Sequence, residues 1–323
     1  MKKGKVRKIP MLLYNLASLW RNFVIPPFIK RWQRKLCLKD WQQREDADLI
    51  RQRVDYYFPQ DKPFTPGREA RPIRDITLSS SHSSYWYDLM RYLRAFPSDR
   101  KIDFINGDTH YNPDSVMFGK ARRLDDKKGN VALMNLDRRR HFLKVVDPIP
   151  FIEKKPQLFF RGDVDAKENR KRFLTMWWGN PLFDLGDTSP RTMTEWHTER
   201  TDIAKHFEYR YILALEGHDV ASALQWICAS DCIPVMTRPT VESWLMHGAM
   251  IPGIHYIEIA DDFSDAAEKI AYYNANPAEA EKIARASKEW VSQFSDTRRE
   301  NIIHYLVAEK YLTLSDPSAK SLR

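Results

Sequence analysis

The sequence predicts an α/β protein in two lobes, with a parallel sheet carrying helices on both faces. Three observations lead there. Strands and helices alternate through the second half of the chain, and 323 residues exceed one average domain and suit two of about 150 each. The run Leu158-Phe159-Phe160-Arg161-Gly162 reads as a buried strand stopped by a glycine turn, followed by the acidic pair Asp163 and Asp165 and a basic helical stretch at 167–172. α/β proteins use such a strand end to grip a diphosphate.

The first segment is a basic arm at 1–45. Residues 1–39 hold eleven Lys and Arg and no Asp or Glu. Removing those eleven charges from the formal +9 leaves the rest of the chain near −2. A near-neutral body argues against a nucleic-acid partner. Within the arm Leu12, Leu16, Leu19, Trp20 and Phe23 share one helical face beside cations. That pattern suits a helix lying in an anionic membrane interface, or a helix packing on the body through the same face. The apolar run 9–20 is too short to span hydrocarbon, which takes about 20 residues, and no small-residue cleavage site follows it. Cys37, Cys228 and Cys232 make an odd count that fits a reducing compartment, and core packing suits Cys228 and Cys232 better than zinc.

After the arm, 46–57 reads as a charged helix and 59–72 as loop. A serine cluster at 79–84 surrounds His82, read as loop, and Ser84 is the expected N-cap of a helix carrying Trp86, Leu89, Met90, Leu93 and Phe96. A short strand at 102–105 ends at Asn106-Gly107-Asp108, which leaves the Asp108 carboxylate just past a strand end, on a ligand or on its own turn backbone. Strand-like runs at 131–136 and 142–146 flank Arg138-Arg139-Arg140-His141. The second half then gives strands at 157–160, 211–215, 233–236 and 256–259. Its helices are expected at 167–176, 201–207, 219–230, 265–274, 277–294 and 298–312.

Three features of that half carry chemistry. Arg161 and Arg170 offer planar guanidinium forks for phosphate oxygens beside Gly162, although Arg161 would serve equally in an ion pair with a carboxylate. Gly217-His218-Asp219-Val220-Ala221-Ser222 turns a strand into a helix that Asp219 or Ser222 would cap, with or without an anion on its first turn. Glu242 and Trp244 are expected on a loop between strands, suited to sugar hydroxyls and ring faces, with core packing as the other reading for Trp244.

The order Phe-Phe-Arg-Gly with a downstream Arg, then Tyr-Arg-Tyr-Ile-Leu-Ala-Leu-Glu-Gly, the small-residue helix, Trp244 to His247 and Ile251-Pro252-Gly253-Ile254-His255-Tyr256-Ile257 resembles glycosyltransferase family 90 over about 101–294. Gly217 to Ser222 followed by Trp226 is most similar to the family's bacterial lipopolysaccharide-core branch. The resemblance implies a GT-B-like pair of Rossmann-like lobes with a cleft between them. It divides the chain into an acceptor-side lobe at 46–155, a nucleotide-sugar lobe at 156–297, and a C-terminal helix and tail at 298–323 that crosses back to the first lobe. It implies an inverting transfer of a hexose or pentose from a UDP-sugar to a hydroxyl of a bacterial glycan or glycolipid, without metal or other cofactor. Asp108 matches the position of the family's base. Arg161, Gly162, Arg170, Gly217, Asp219, Val220, Ser222 and Glu242 fall on the donor side, and Arg140 and Trp244 are weaker acceptor or sugar contacts.

Two departures matter. Eukaryotic members carry an arginine where this chain has Ala223-Leu224-Gln225, and they carry secretory signals and paired cysteines. A cytoplasmic enzyme at the inner face of the cell membrane therefore fits better than a luminal one. Two other readings stay open: Asp163-Val164-Asp165 as the metal site of a GT-A glycosyltransferase, and a membrane-associated nucleotide-binding adaptor without turnover.

Overall fold

The computed structural model describes residues 4–7, 9–79, 82–109, 111–136, 138–141, 143–165, 167–191 and 193–317. Lys2, Lys3 and Lys8 of the arm, Ser80 and Ser81 of the serine cluster, and Phe142 lie outside the described residues. The chain forms two compact units. One gathers Ile9–Arg139, Val241–Leu245 and 294–317; the other gathers Arg140–Thr240, Met246–Gln293 and the strand Lys5–Arg7.

The first unit is mainly helical. Helix α1 (Met11–Leu19) runs into a π-turn at Trp20–Val24, and α2 (Pro27–Leu38) starts on a proline at its first position, where a missing N–H costs nothing. The reading in which α1 packs on the body through its leucine face is reversed. The buried residues are Tyr14, Ser18 and Asn22, while Leu12, Leu16, Leu19 and Trp20 stay exposed. Tyr14 donates to the Ser84 carbonyl at 3.3 Å, Asn22 donates to the Tyr87 carbonyl at 3.4 Å, and the Phe23 ring stacks on Trp86 at 5.7 Å. Polar groups dock this helix because the partner helix offers carbonyls and ring faces there.

Helix α3 (Ala47–Tyr57) buries Ile50, Arg53, Val54 and Tyr57. Helix α4 (Ser83–Leu93) has His82 as its N-cap, in the left-handed region at φ 54°, with no capping side chain; Ser84, expected as the cap, lies inside the first turn. The C-terminal helix Thr297–Ser315 begins on Asp296, whose carboxylate accepts from the Arg298 and Arg299 amides. It packs against α2, α3 and α4. Three short pairings complete the unit: Met117–Gly119 parallel to Val131–Leu133, Arg71–Pro72 antiparallel to Lys101–Ile102, and Val241–Ser243 antiparallel to Ala121–Arg123. The segment at 241–243 is thus a strand rather than the expected loop.

The second unit is built on five parallel strands: β1 (Lys155–Phe159), β2 (Phe183–Asp184), β3 (Tyr209–Leu213), β4 (Ile233–Met236) and β5 (Ile257–Glu258). Their order is β5-β4-β3-β1-β2. Strand β2 has only two residues, too few to leave a hydrophobic pattern in the sequence. Helices Glu168–Trp177, Ala266–Ala275 and Pro277–Ser292 lie close to their expected spans. The helix expected at 219–230 shrinks to Leu224–Cys228. Residues 217–220 form bends instead, so neither Asp219 nor Ser222 caps a helix and no helix dipole begins at Asp219. Lys5–Arg7, inside the supposed arm, pairs antiparallel with Lys144–Val146. Leu158, Phe173, Leu174, Tyr211, Leu213, Ile233, Val235, Ile257 and Ile283 form the core.

In the helical unit Arg53 and Glu300 form an ion pair with side chains 2% and 3% exposed, Nη2 to Oε2 at 2.8 Å. Removing one partner leaves a charge buried alone. Glu300→Ala should therefore cost about 3–5 kcal/mol, and an apolar replacement of both partners should recover much of it; urea midpoints of the single and double variants check this.

Candidate functional site

Strand order locates the site in the sheet unit. The chain leaves β1 for β2 on one side, then crosses to β3 on the other, so the direction of sheet building reverses between β1 and β3. Open α/β sheets bind ligands outside the carboxyl ends of the strands at that point. A cavity of about 210 Å³ lies there, walled by Phe160, Arg161 and Gly162 after β1, by Ala214 and Leu215 after β3, and by Arg170, His206, Ser222 and Trp226.

Gly162 lies at a close approach to its own turn, where a larger residue would have to displace the buried Phe160 ring. A Cβ there would stand 2.6 Å from the Phe160 ring, and its amide donates to the Gly186 carbonyl at 3.3 Å. Arg161 satisfies the ion-pair reading in this structure: its Nη2 donates to Asp184 Oδ1 at 2.5 Å and its Nη1 to the Phe160 and Asp184 carbonyls at 2.8 and 2.9 Å. Arg170 differs. Its guanidinium donates to the carbonyls of Asp163 and Leu215 at 3.0 and 3.1 Å, and its Nε is buried without a partner. Burial pulls its pKa down, and Asp163 is the counter-charge acting the other way. A cation in that state gains from an anion in the cavity. Gly217 lies beside it, since a Cβ there would meet Arg170 Nη2 at 3.4 Å.

The other donor-side expectations separate. Ser222 lines the cavity, while Asp219 and Val220 are buried in the neighbouring bends. Asp163 and Asp165 close a turn: Asp163 Oδ1 accepts from the Asp165 amide at 2.8 Å and from the Ser189 hydroxyl at 2.9 Å. Among the described residues no group of three His, Cys, Asp or Glu could hold a metal ion. Cys228 and Cys232 are core residues, and burial pushes the Cys228 thiol up to about 12.

In the helical unit Asp108 accepts from Lys120 Nζ at 2.7 Å and from the Tyr85 hydroxyl at 2.9 Å, with Lys120 also 3.1 Å from that hydroxyl. The Lys120 side chain is 2% exposed and that of Asp108 31%, so a buried ammonium holds a carboxylate that reaches solvent. Glu242 is buried on its strand, opposite Arg122 in register. Its Oε1 accepts from Arg122 Nη2 at 2.7 Å, and the Tyr56 hydroxyl donates to its Oε2. Trp244 is buried edge-on against Phe294. Both are buried, Glu242 within the strand and Trp244 in the turn that follows it. Arg140 is exposed on the short helix Arg138–His141.

Sequence reasoning missed Lys120, Tyr85 and His206. Each becomes visible only when the fold brings it to a partner distant in sequence. His206 sits against Phe159 and Trp226, with ring centroids 4.8 and 5.0 Å away.

Five strands that build outward from a reversal point, with helices packed against them, define the second unit as an open, doubly wound α/β sheet. The family model "Glycosyl transferase family 90" matches residues 130–312. O-glucosyltransferase LpsA of Dichelobacter nodosus is 36% identical over 300 residues, 91% of this chain and 93% of that protein. Protein O-glucosyltransferase 3 of Homo sapiens is 27% identical over 168 residues, 50% of this chain and 32% of that protein. The chain belongs to glycosyl transferase family 90, and its activity is glycosyl transfer. No helix of the described residues is long and apolar enough to cross a membrane.

Burial lowers the His206 pKa to about 4 from an ordinary 6.5. Its folded pKa is depressed, so its contribution to stability is complete above 6.5 and is lost as pH falls towards 4. The loss is at most about 3 kcal/mol. Urea unfolding at pH 7.5 and 4.5 should show a smaller pH difference in His206→Gln than in the wild type.

Proposed function

We propose that this protein is an inverting, metal-independent transferase of the GT-B type that moves a sugar from UDP to a hydroxyl of a bacterial surface glycan. The observation that carries it is Arg170, a desolvated guanidinium held by carbonyl oxygens on the wall of the cavity at the β1/β3 reversal. The cavity of about 210 Å³ is smaller than the roughly 300–1,000 Å³ that encloses a whole small ligand. It suits the diphosphate of a nucleotide sugar and leaves the base and sugar to surfaces outside it.

In this reading the acceptor oxygen attacks the anomeric carbon as its proton passes to the Asp108 carboxylate, and the bond to UDP breaks on the opposite face. The electron pair goes to the diphosphate. Arg170, and Arg161 if it leaves Asp184, stabilise that charge, with Ser222 and the Gly162 turn against the phosphates and Gly217 beside Arg170. Lys120 and Tyr85 orient Asp108 as positioning residues. The name of the Dichelobacter relative favours glucose as the sugar, and a lipopolysaccharide core on a membrane-held carrier at the inner face of the cell membrane is the proposed acceptor.

A thermal-shift series with UDP and UDP-sugars tests the donor directly, because a ligand specific to the folded state raises the midpoint. Arg170→Ala should weaken UDP binding by roughly tenfold to a hundredfold; unchanged affinity removes it from the donor site. Asp108→Asn should lower transfer by about 10² to 10⁴ with UDP affinity intact, and loss within tenfold excludes it as the base. Transfer is expected to survive EDTA. Loss that Mn²⁺ restores would replace this scheme with a metal-dependent one.

A further inference from the structure

The first two helices are inside out. Along Ile9 to Leu36 the large apolar side chains face solvent: Leu12 is 69% exposed, Leu16 54%, Trp20 62%, Phe28 70%, Trp32 62% and Leu36 53%. The side chains turned inward over the same stretch are Tyr14, Ser18, Asn22, Lys30 and Arg34. A soluble helix does the opposite. Inward polar groups have partners in place: Lys30 donates to the Asn22 carbonyl at 2.9 Å, Asn22 Nδ2 donates to the Tyr87 carbonyl at 3.4 Å, and the Arg34 guanidinium lies 4.2 Å over the Phe96 ring. The orientation is therefore specified by contacts.

Helix α2 adds what the sequence pattern of α1 did not foretell. Phe28, Trp32 and Leu36 fall at successive i, i+4 positions and make a second exposed stripe, with Arg31 and Lys35 exposed beside it. No acidic residue occurs before Asp40. An apolar face this large marks an interaction surface. Its cationic flanks and its tryptophans specify an anionic bilayer surface, where indole rings sit at the headgroup level and cations meet anionic lipid.

We propose that α1, the π-turn and α2 together form a monotopic membrane-docking surface that lies in the headgroup region of an anionic leaflet. The helical unit would then sit on the lipid by this one face, without a spanning helix. The proposal is independent of the donor reading, because it uses none of the residues assigned to the cavity or to Asp108.

Co-sedimentation of the full chain with vesicles tests it, using phosphatidylcholine alone and phosphatidylcholine with about a third anionic lipid. The wild type should sediment with the anionic vesicles, less with the neutral ones, and less again at high salt. Leu16→Glu/Trp32→Glu should abolish sedimentation. Arg31→Glu/Lys35→Glu should weaken binding to anionic vesicles by roughly tenfold or more while leaving the weak neutral binding unchanged. Circular dichroism and the UDP thermal shift should stay at wild-type values in both variants, which separates loss of docking from loss of fold. Failure of the wild type to bind either vesicle overturns the proposal, as does undiminished binding by the leucine and tryptophan variant. A wild-type dimer in sedimentation velocity that this variant converts to monomer also overturns it, because the face then covers a second copy of the chain.

Discussion

The parallel pairing of β1 with β3 is the constraint on which the site depends. Its register sets Leu158 opposite Tyr211 and Phe159 opposite Ile212, so both strands end at one level. Phe160, Arg161 and Gly162 then emerge beside Ala214 and Leu215. The helix Glu168–Trp177 follows directly and carries Arg170 back to the Asp163 and Leu215 carbonyls. A different strand order would part Arg161, Gly162 and Arg170 from Ala214 and Leu215, whereas the Arg170 contact to the Asp163 carbonyl, seven residues away, is local.

Buried cations in this protein are held either by carboxylates or, as Lys30 is by Asn22, by backbone carbonyls. Arg53, Arg122 and Lys154 are buried cations, and each has its own carboxylate: Glu300, Glu242 and Asp147. Such pairs offset desolvation and tie distant segments together, as Arg122 and Glu242 do across two short strands. Arg170 is held by carbonyl dipoles instead, so part of its desolvation cost is still open to an anionic ligand. Lys120 stands between these cases: it is buried, but the carboxylate it pairs with keeps one face towards solvent.

Much of the sheet was legible in the sequence because its strands are short, continuous apolar runs between turn residues. β1, β3, β4 and β5 lie within a residue or two of their expected spans, and Arg161, Gly162, Arg170 and Ser222 fall on one cavity. The less legible parts have specific causes. The stretch 217–223 has helix-compatible composition, yet local bends hold it and the helix waits until Leu224. Glu242 and Trp244 read as loop groups because their pairing partners, Arg122 and Phe294, are far away in sequence.

The amino-acid sequence by itself determined the α/β alternation, the family membership carried by its ordered motifs, and the amphipathic character of residues 9–23. Periodicity and composition are local properties, so local reading suffices for them. Only the tertiary structure decided which face of α1 turns inward, that Arg170 donates to backbone carbonyls on the cavity wall, and that Lys120 and Tyr85 hold Asp108. Those outcomes are set by which partner each group meets across the fold, and a buried polar group is satisfied by whatever lies opposite it rather than by its neighbours in the chain.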